Sequence, residues 1–295
     1  MVEALQRVSW ARLADFLALT KMRQTALLTI TGFFAYVLTR GLPFDPLEAS
    51  RMFAGLLLSI SGCTVLNMLL DRDIDTRMMR TASRPLPAGR IQPLGAGIFG
   101  AVLSAGGLAL SFDLDLSFGV VVALGFVCDL VVYTAWLKRR TALSIVFGGV
   151  AGGMPALAGR VLGLGRVDLV GLLLASSILL WIPSHILTLA LHYADDYQRA
   201  GVPVWPNVYG SHATRLVIAG ANLLNTLALT ACAILLQVHA IALVLLLGMG
   251  LGMFGLALLQ LARPTERRNW LLFKAASLYM VASSLLLMVG VVAKG

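Results

Sequence analysis

Apolar residues along the chain gather into long uninterrupted runs, separated by short stretches that are charged or rich in proline and glycine. Such runs lie at 24–39, 52–70, 94–112, 117–137, 142–159, 168–191, 214–236, 240–262 and 271–293. Crossing a hydrocarbon layer takes roughly 20 apolar residues in a helix. The pattern therefore predicts an all-α, polytopic membrane protein of nine transmembrane helices, with 1–295 as a single transmembrane domain. The pairs Gly106-Gly107, Gly148-Gly149 and Gly152-Gly153 allow close helix approach, and Pro155 and Pro183 predict kinks. Residues 1–23 read as an amphipathic segment at the membrane surface. Their acidic residues and lack of a compact apolar stretch argue against a cleaved signal peptide.

Composition agrees with this pattern. Of the 295 residues, 59% are hydrophobic and 13% charged, against about 45–50% and about 25% in a soluble domain. Mean hydropathy is +0.87, which argues against a soluble enzyme. The net charge of +9 reports topology, not a nucleic-acid partner. With the N-terminus inside, seventeen of the 23 Lys and Arg residues fall on one side and five on the other, with Lys274 inside the last span. By the positive-inside rule the protein is expected in the cell membrane, N-terminus cytoplasmic and C-terminus outside. Cys63, Cys128 and Cys232 form no C-x-x-C pair and read as small packing residues.

The acidic residues are fewer and more informative. Asp71, Asp73, Asp75, Asp195 and Asp196 fall in two loops, after the second and sixth spans, both on the side expected to be cytoplasmic. If the second helix continues, Asn67, Asp71 and Asp75 at i, i+4 and i+8 share an arc of about 80°. Three oxygen donors so placed suit a hard divalent cation such as Mg²⁺; the alternative is an acidic turn neutralised by Arg72, Arg77 and Arg80. The following loop, Arg80 to Arg90, supplies guanidinium groups suited to phosphate. Together they have the composition expected for a diphosphate site. Lys138, Arg139 and Arg140 are on the same side, as are Lys21 and Arg23; these read as orientation signals or as further neutralisers of that anion.

The second constellation is His185, His192 and Asp196, at i, i+7 and i+11. On a continuing helix they form a stripe about 40° wide, with His185 roughly 16 Å deeper than Asp196. An ionisable side chain at that depth is functional by default, the alternative being a structural histidine bonded to a Ser or Thr of another helix. Asp129, within an apolar span, is singled out on the same ground without a role.

The run N-x-x-x-D-x-D-x-D from Asn67 to Asp75, followed by R-T-x-x-R-P-L-P-x-G from Arg80 to Gly89, resembles the UbiA-type intramembrane prenyltransferases. The likeness continues through Val132 to Gly159, Trp181 to Pro206 and Leu272 to Lys274. His185 and the segment Asp196-Tyr197 to Pro206 resemble the heme O synthase branch more than the quinone-forming one. The resemblance implies a UbiA-type bundle around a central cavity, binding farnesyl diphosphate through Mg²⁺ and taking heme b as the second substrate. It places Asn67, Asp71 and Asp75 in a first Mg²⁺-diphosphate motif, Arg80 and Arg84 beside it, Asp196, with Asp195 as a possible addition, in a second, and His185 on the porphyrin side. On this reading Asp71, Asp75, His185, Arg80 and Arg84 are catalytic. Asn67, Lys138, Arg139, Asp196, Tyr197 and His192 bind substrate, with the lipid bilayer as surroundings and the product handed to a heme O-using enzyme or oxidase assembly. Three positions depart from the family pattern: Ser184 before His185 with Ile186-Leu187 after it, Ala200 where quinone-type enzymes carry a second Asp, and Asn207 after Pro206. Rival expectations are a prenyltransferase with an aromatic or quinone-precursor acceptor, an ion-binding transporter and a non-catalytic scaffold. A transporter favours charges near the midplane in paired broken helices, and a scaffold leaves both acidic loops unexplained.

Overall fold

A computed structural model describes residues 12–293; among them every regular element is helical. The elements are α1 (Met22–Arg40), α2 (Pro46–Leu70), the short α3 (Arg72–Arg77), α4 (Pro93–Leu114), α5 (Leu116–Val127), α6 (Ser144–Leu164), α7 (Leu169–Ile182), α8 (Thr188–His192), α9 (Ala194–Ala200), α10 (Trp205–Leu235), α11 (Ala240–Ala262) and α12 (Glu266–Val292). α5 runs on into a π-helical stretch, Cys128–Leu137, and α7 joins α8 through another, Pro183–Leu187. Among the described residues nine long helical segments thus stand where nine spans are expected, and this is a multi-pass membrane protein. Much of the surface segment expected at 1–23 lies outside the described residues, although 12–19 are helical.

Eight of the nine are long and apolar enough to cross a membrane by length and composition. The ninth, α1, begins with the exposed polar residues Arg23 and Gln24 and also carries threonines on its inner face. Thr25, Thr29 and Thr31 are buried there, each hydroxyl donating to a backbone carbonyl, of Thr20, Thr25 and Leu28, at 2.7–2.9 Å. Such bonds satisfy a hydroxyl that no water can reach. Several acidic residues outside the two loops cap helices. Asp45, Asp115 and Asp168 accept backbone N–H bonds from Leu47, Phe118 and Gly171, as expected of N-cap aspartates.

The helices form a ring: α1 packs on α6, α6 on α5 and α7, α7 on α10, α10 on α11, α11 on α12, and α12 returns to α1, with α2 between α1 and α4. Outward faces carry exposed leucine and valine, such as Leu94, Val244 and Leu278, suited to lipid. The expected kinks resolve differently. Pro155 sits inside an unbroken α6, whereas Pro183 opens the π-helical turn that carries His185. The seventh span, expected from 214, starts at Trp205 but is broken at Gly210, whose φ of 82° is left-handed.

Close crossings depend on glycine at defined points. A Cβ on Gly107 of α4 would lie 2.3 Å from the Ser59 backbone nitrogen of α2, whereas one on the adjacent Gly106 would meet nothing within 4 Å. Gly107→Ala is therefore expected to push the helices apart and cost about 1–3 kcal/mol. Gly106→Ala is expected to be neutral or to stabilise by up to about 1 kcal/mol through helix propensity. Thermal unfolding in detergent checks the pair, and equal melting temperatures would contradict this crossing.

Candidate functional site

Asp71 leaves helical geometry (φ −89°, ψ 1°), yet the four-residue hydrogen-bond step persists across the α2–α3 junction. The Asp71 N–H donates to the Asn67 carbonyl at 2.9 Å and the Asp75 N–H to the Asp71 carbonyl at 2.8 Å. Asn67, Asp71 and Asp75 thus keep the expected spacing, and Asp71 and Asp75 are buried. The second acidic loop is brought alongside by a small apolar cluster of Ile74 and Met78 with Ala200 and Val202, which packs α3 on α9. There the backbone N–H of Arg80 donates to Asp196 Oδ2 at 3.3 Å.

Each of these carboxylates is matched to a cation. Asp71 pairs with Lys138, Asp75 with Arg84 at 2.9 Å, Asp73 with Arg139 at 2.7 Å, and Asp196 with Arg199. The Arg139 hydrogen bonds pull the Asp73 carboxyl below its usual range. Burial works against charge on Asp196, but Arg199 and the Arg80 N–H outweigh it and hold that carboxyl low. At Lys138 burial is likewise outweighed, by Tyr133 and Asp71, and the ammonium is held above its usual range. Lys21 moves the other way: burial, together with the Arg84 and Lys138 cations, lowers it to about 8.

Inside the ring is a cavity of about 350 Å³. Lys21, Asn67, Asp71, Asp129, Tyr133 and Lys138 supply its polar wall, and Trp181, His185 and Met280 line it further along. The π-helical stretch explains how α5 contributes. Nine residues on an α-helix turn a side chain to the opposite face, but a bond to the fifth preceding residue widens the turn to about 4.4 residues. Lys138 N–H bonds the Tyr133 carbonyl at 2.8 Å in this way, and Asp129, Tyr133 and Lys138 all reach the cavity.

His185 is held by its ring faces, stacked on Trp181 at 4.7 Å and Phe273 at 4.4 Å, with Nδ1 3.3 Å from Ser277 Oγ. The Trp181 indole is itself fixed by donating to the Ala276 carbonyl at 2.7 Å. The expected stripe of His185, His192 and Asp196 does not form, because the helix is not continuous. The π-helical turn changes its phase, and Tyr193 (φ −105°, ψ 27°) ends it before α9 begins. His192 instead packs on Tyr193 and Trp270 and pairs with Glu266.

The other candidates divide by layer. Asp75 on α3, Asp196 on α9 and Arg80 and Arg84 in the loop after α3 are outside the cavity lining, with the Arg80 guanidinium stacked 5.0 Å over the Tyr193 ring. Tyr197 packs against the α3–α9 cluster. Arg139 is exposed, tied to Asp73 and the Leu70 carbonyl, and Asp195 is exposed. What the sequence did not assign is the partner of Asn67: its Nδ2 donates to Asp129 Oδ2 at 2.6 Å, and the Cys63 thiol donates to the same oxygen at 3.3 Å. An ionisable residue in an apolar span was the one available signal. Cys63 is thus more than a packing residue.

No three His, Cys, Asp or Glu side chains converge as a metal cage among the described residues. Of the eleven buried side-chain polar atoms without a hydrogen-bond partner among the described residues, three belong to residues of the first acidic motif and the loop after it: Asn67 Oδ1, Asp71 Oδ1 and Arg80 Nε. Two acceptors suit a cation that keeps most of its waters, as Mg²⁺ does, and the guanidinium donor suits an anion. The residues therefore fit a divalent cation shared with a phosphate group.

The family model described as the UbiA prenyltransferase family matches residues 28–284. A protein of Korarchaeum cryptofilum named Protoheme IX farnesyltransferase is 45% identical over 72% of this chain and 72% of its own. One of that name from Pyrobaculum neutrophilum is 38% identical over 89% of this chain and 94% of its own. Among solved structures, a UbiA homolog from Archaeoglobus fulgidus bound to GPP and Mg²⁺ superposes with a TM-score of 0.68 at 14% identity, covering 92% of this chain and 99% of that one.

The lowered Lys21 gives a pH test of anion binding. Lys21 is charged below about 8 and neutral above it, so its contribution is present at pH 7 and fades as pH rises. Lys21→Met is expected to weaken inorganic diphosphate binding on the order of tenfold at pH 7, the size of a charge-assisted hydrogen bond. The ratio of wild-type to variant affinity should fall toward one by pH 9. Calorimetric titration at matched pH values checks this, and a constant ratio would exclude Lys21 from the anion site.

Proposed function

This chain belongs to the UbiA prenyltransferase family, and from that premise we propose that it transfers the farnesyl group of farnesyl diphosphate to a vinyl group of heme b. Addition of water completes the reaction, giving heme O and diphosphate. The observation that carries this reading is the lining of one cavity, with Asn67, Asp71, Lys21 and Lys138 on its polar wall and a ring-clamped His185 further along. The relatives named Protoheme IX farnesyltransferase, matched over most of both chains, support the choice of acceptor.

Asn67 and Asp71 would hold Mg²⁺ through their unpartnered oxygens, with Asp75 and Asp196 on the short helices α3 and α9. The homolog that binds GPP with Mg²⁺ shares this fold. When bound, the ion neutralises charge on the leaving diphosphate. Lys138 and Arg84, which now hold Asp71 and Asp75, are the cations placed to meet diphosphate oxygens, joined by Lys21 and by the free Nε of Arg80. Donors fixed in advance cost no reorganisation as charge develops. The allylic C–O bond breaks with its electron pair on diphosphate, and the terminal vinyl carbon bonds to farnesyl C1. Water then bonds to the inner vinyl carbon and loses a proton. The apolar cavity wall, including Leu28, Leu56, Val122 and Ile182, takes the isoprenoid tail and limits water. His185 positions the macrocycle, its two faces covered by Trp181 and Phe273.

The basic excess supports an orientation with the acidic loops on the cytoplasmic side of the cell membrane, where farnesyl diphosphate would be met. Heme O released sideways into lipid would pass to an enzyme or oxidase assembly that uses it.

Expression in a membrane that makes only heme b, followed by chromatography and mass spectrometry of extracted hemes, tests the reading. The expected product is a heme heavier by a farnesyl group plus a hydroxyl group. Unchanged heme b, with prenylation of an aromatic acceptor instead, would overturn the acceptor. His185→Ala is expected to keep Mg²⁺-dependent diphosphate binding while transfer to heme falls at least about 100-fold, the lower range for a positioned catalytic group. Equal loss of both would contradict this division. Asp71→Asn should weaken Mg²⁺-dependent activity by a similar factor, and an unaltered Mg²⁺ requirement would remove it from the cation site.

A further inference from the structure

An asparagine is an uncertain cation ligand, because its amide can turn through 180° and present nitrogen instead of oxygen. At Asn67 one orientation is selected by a residue from another helix. Nδ2 donates to Asp129 Oδ2 at 2.6 Å, leaving Oδ1 buried and without a partner. Turning the amide over would set Oδ1 against Asp129 Oδ2 at that short distance, with two acceptors facing each other. The Cys63 thiol also donates to Asp129 Oδ2, at 3.3 Å, so this oxygen is the acceptor of two bonds. Asp129 itself arrives at this position on the π-helical stretch after α5, and lines the same cavity as Asn67 and Asp71.

We propose that Asp129 is a positioning residue for the cation site: by accepting the Asn67 amide it turns Asn67 Oδ1 toward the divalent cation that holds the diphosphate. The inference rests on the cation site in the proposed function and extends it to the residue that accepts the Asn67 amide. It accounts for a carboxylate in an apolar span that forms no ion pair with a lysine or arginine among the described residues, unlike four of the five loop carboxylates.

The experiment uses the full chain in detergent, with Mn²⁺ and inorganic diphosphate as probes and electron paramagnetic resonance to separate bound from free Mn²⁺. Outer partners that orient a metal ligand typically change affinity by about 10–100-fold. Asp129→Asn, nearly isosteric, no longer dictates the amide orientation and is expected to weaken Mn²⁺ binding within that range. The exchange variant Asn67→Asp/Asp129→Asn reverses donor and acceptor. The carboxylate then at 67 presents an oxygen either way round, and affinity is expected to return to within about threefold of wild type. A merely structural role would not be rescued by this exchange. Wild-type Mn²⁺ affinity in Asp129→Asn, or an exchange variant that binds no better than Asp129→Asn, overturns the proposal. Should Asp129→Asn fail to fold, the exchange variant decides alone: near-wild-type affinity supports the proposal and a tenfold loss overturns it. Wild-type protein that binds no Mn²⁺ with diphosphate overturns the cation site itself, which separates that failure from this one.

Discussion

A carboxylate at the edge of a hydrocarbon layer needs a positive charge beside it, since desolvation penalises an isolated ion severely. The acidic end of this bundle is arranged around that requirement. Asp71, Asp73, Asp75 and Asp196 are each met by a lysine or arginine, and these pairings join elements distant in the chain. Lys138 ties the end of the π-helical stretch to the α2–α3 junction, Arg139 fastens it to Asp73 and the Leu70 carbonyl, and Arg84 folds the long loop back on α3. The pairs are individually modest in value where exposed. Their larger effect is to keep an ordered set of cations facing a set of carboxylates, so that an incoming cation and anion meet partners already in place.

The second device is departure from α-helical geometry where chemistry is needed. Both π-helical stretches carry cavity residues, as π-bulges often do at functional sites. One brings Asp129, Tyr133 and Lys138 to a common face, and the other sets His185 between Trp181 and Phe273 while parting it from His192. A regular helix would have made the opposite choices in each case, with Lys138 turned away and His192 aligned with His185.

The nine segments were legible because lipid imposes one long apolar run per crossing, and the observed helices differ from the expected ones mainly by a few terminal residues. Asn67, Asp71 and Asp75 were legible because their four-residue spacing survives the end of α2. The stripe from His185 to Asp196 was not, since hydrophobic pattern alone does not reveal where a helix widens or stops. Pro183 marked the place but not the outcome. Nor could spacing show that Asp129 belongs with Asn67, a contact between residues 62 apart in sequence. Arg139 illustrates the same limit: the basic run was visible, but only the fold shows Lys138 facing the cavity and Arg139 facing Asp73.

Asn67 Oδ1 and Asp71 Oδ1, both buried and unpartnered, are the oxygens proposed to be kept for a divalent cation. Anomalous scattering from crystals of the protein grown with Mn²⁺ and inorganic diphosphate tests that proposal most directly. A manganese peak is expected against these two oxygens, with diphosphate between that ion and the basic side chains. A peak confined to other acidic residues, such as Asp195 or the Glu266 that holds His192, with Asn67 and Asp71 left untouched, would contradict it.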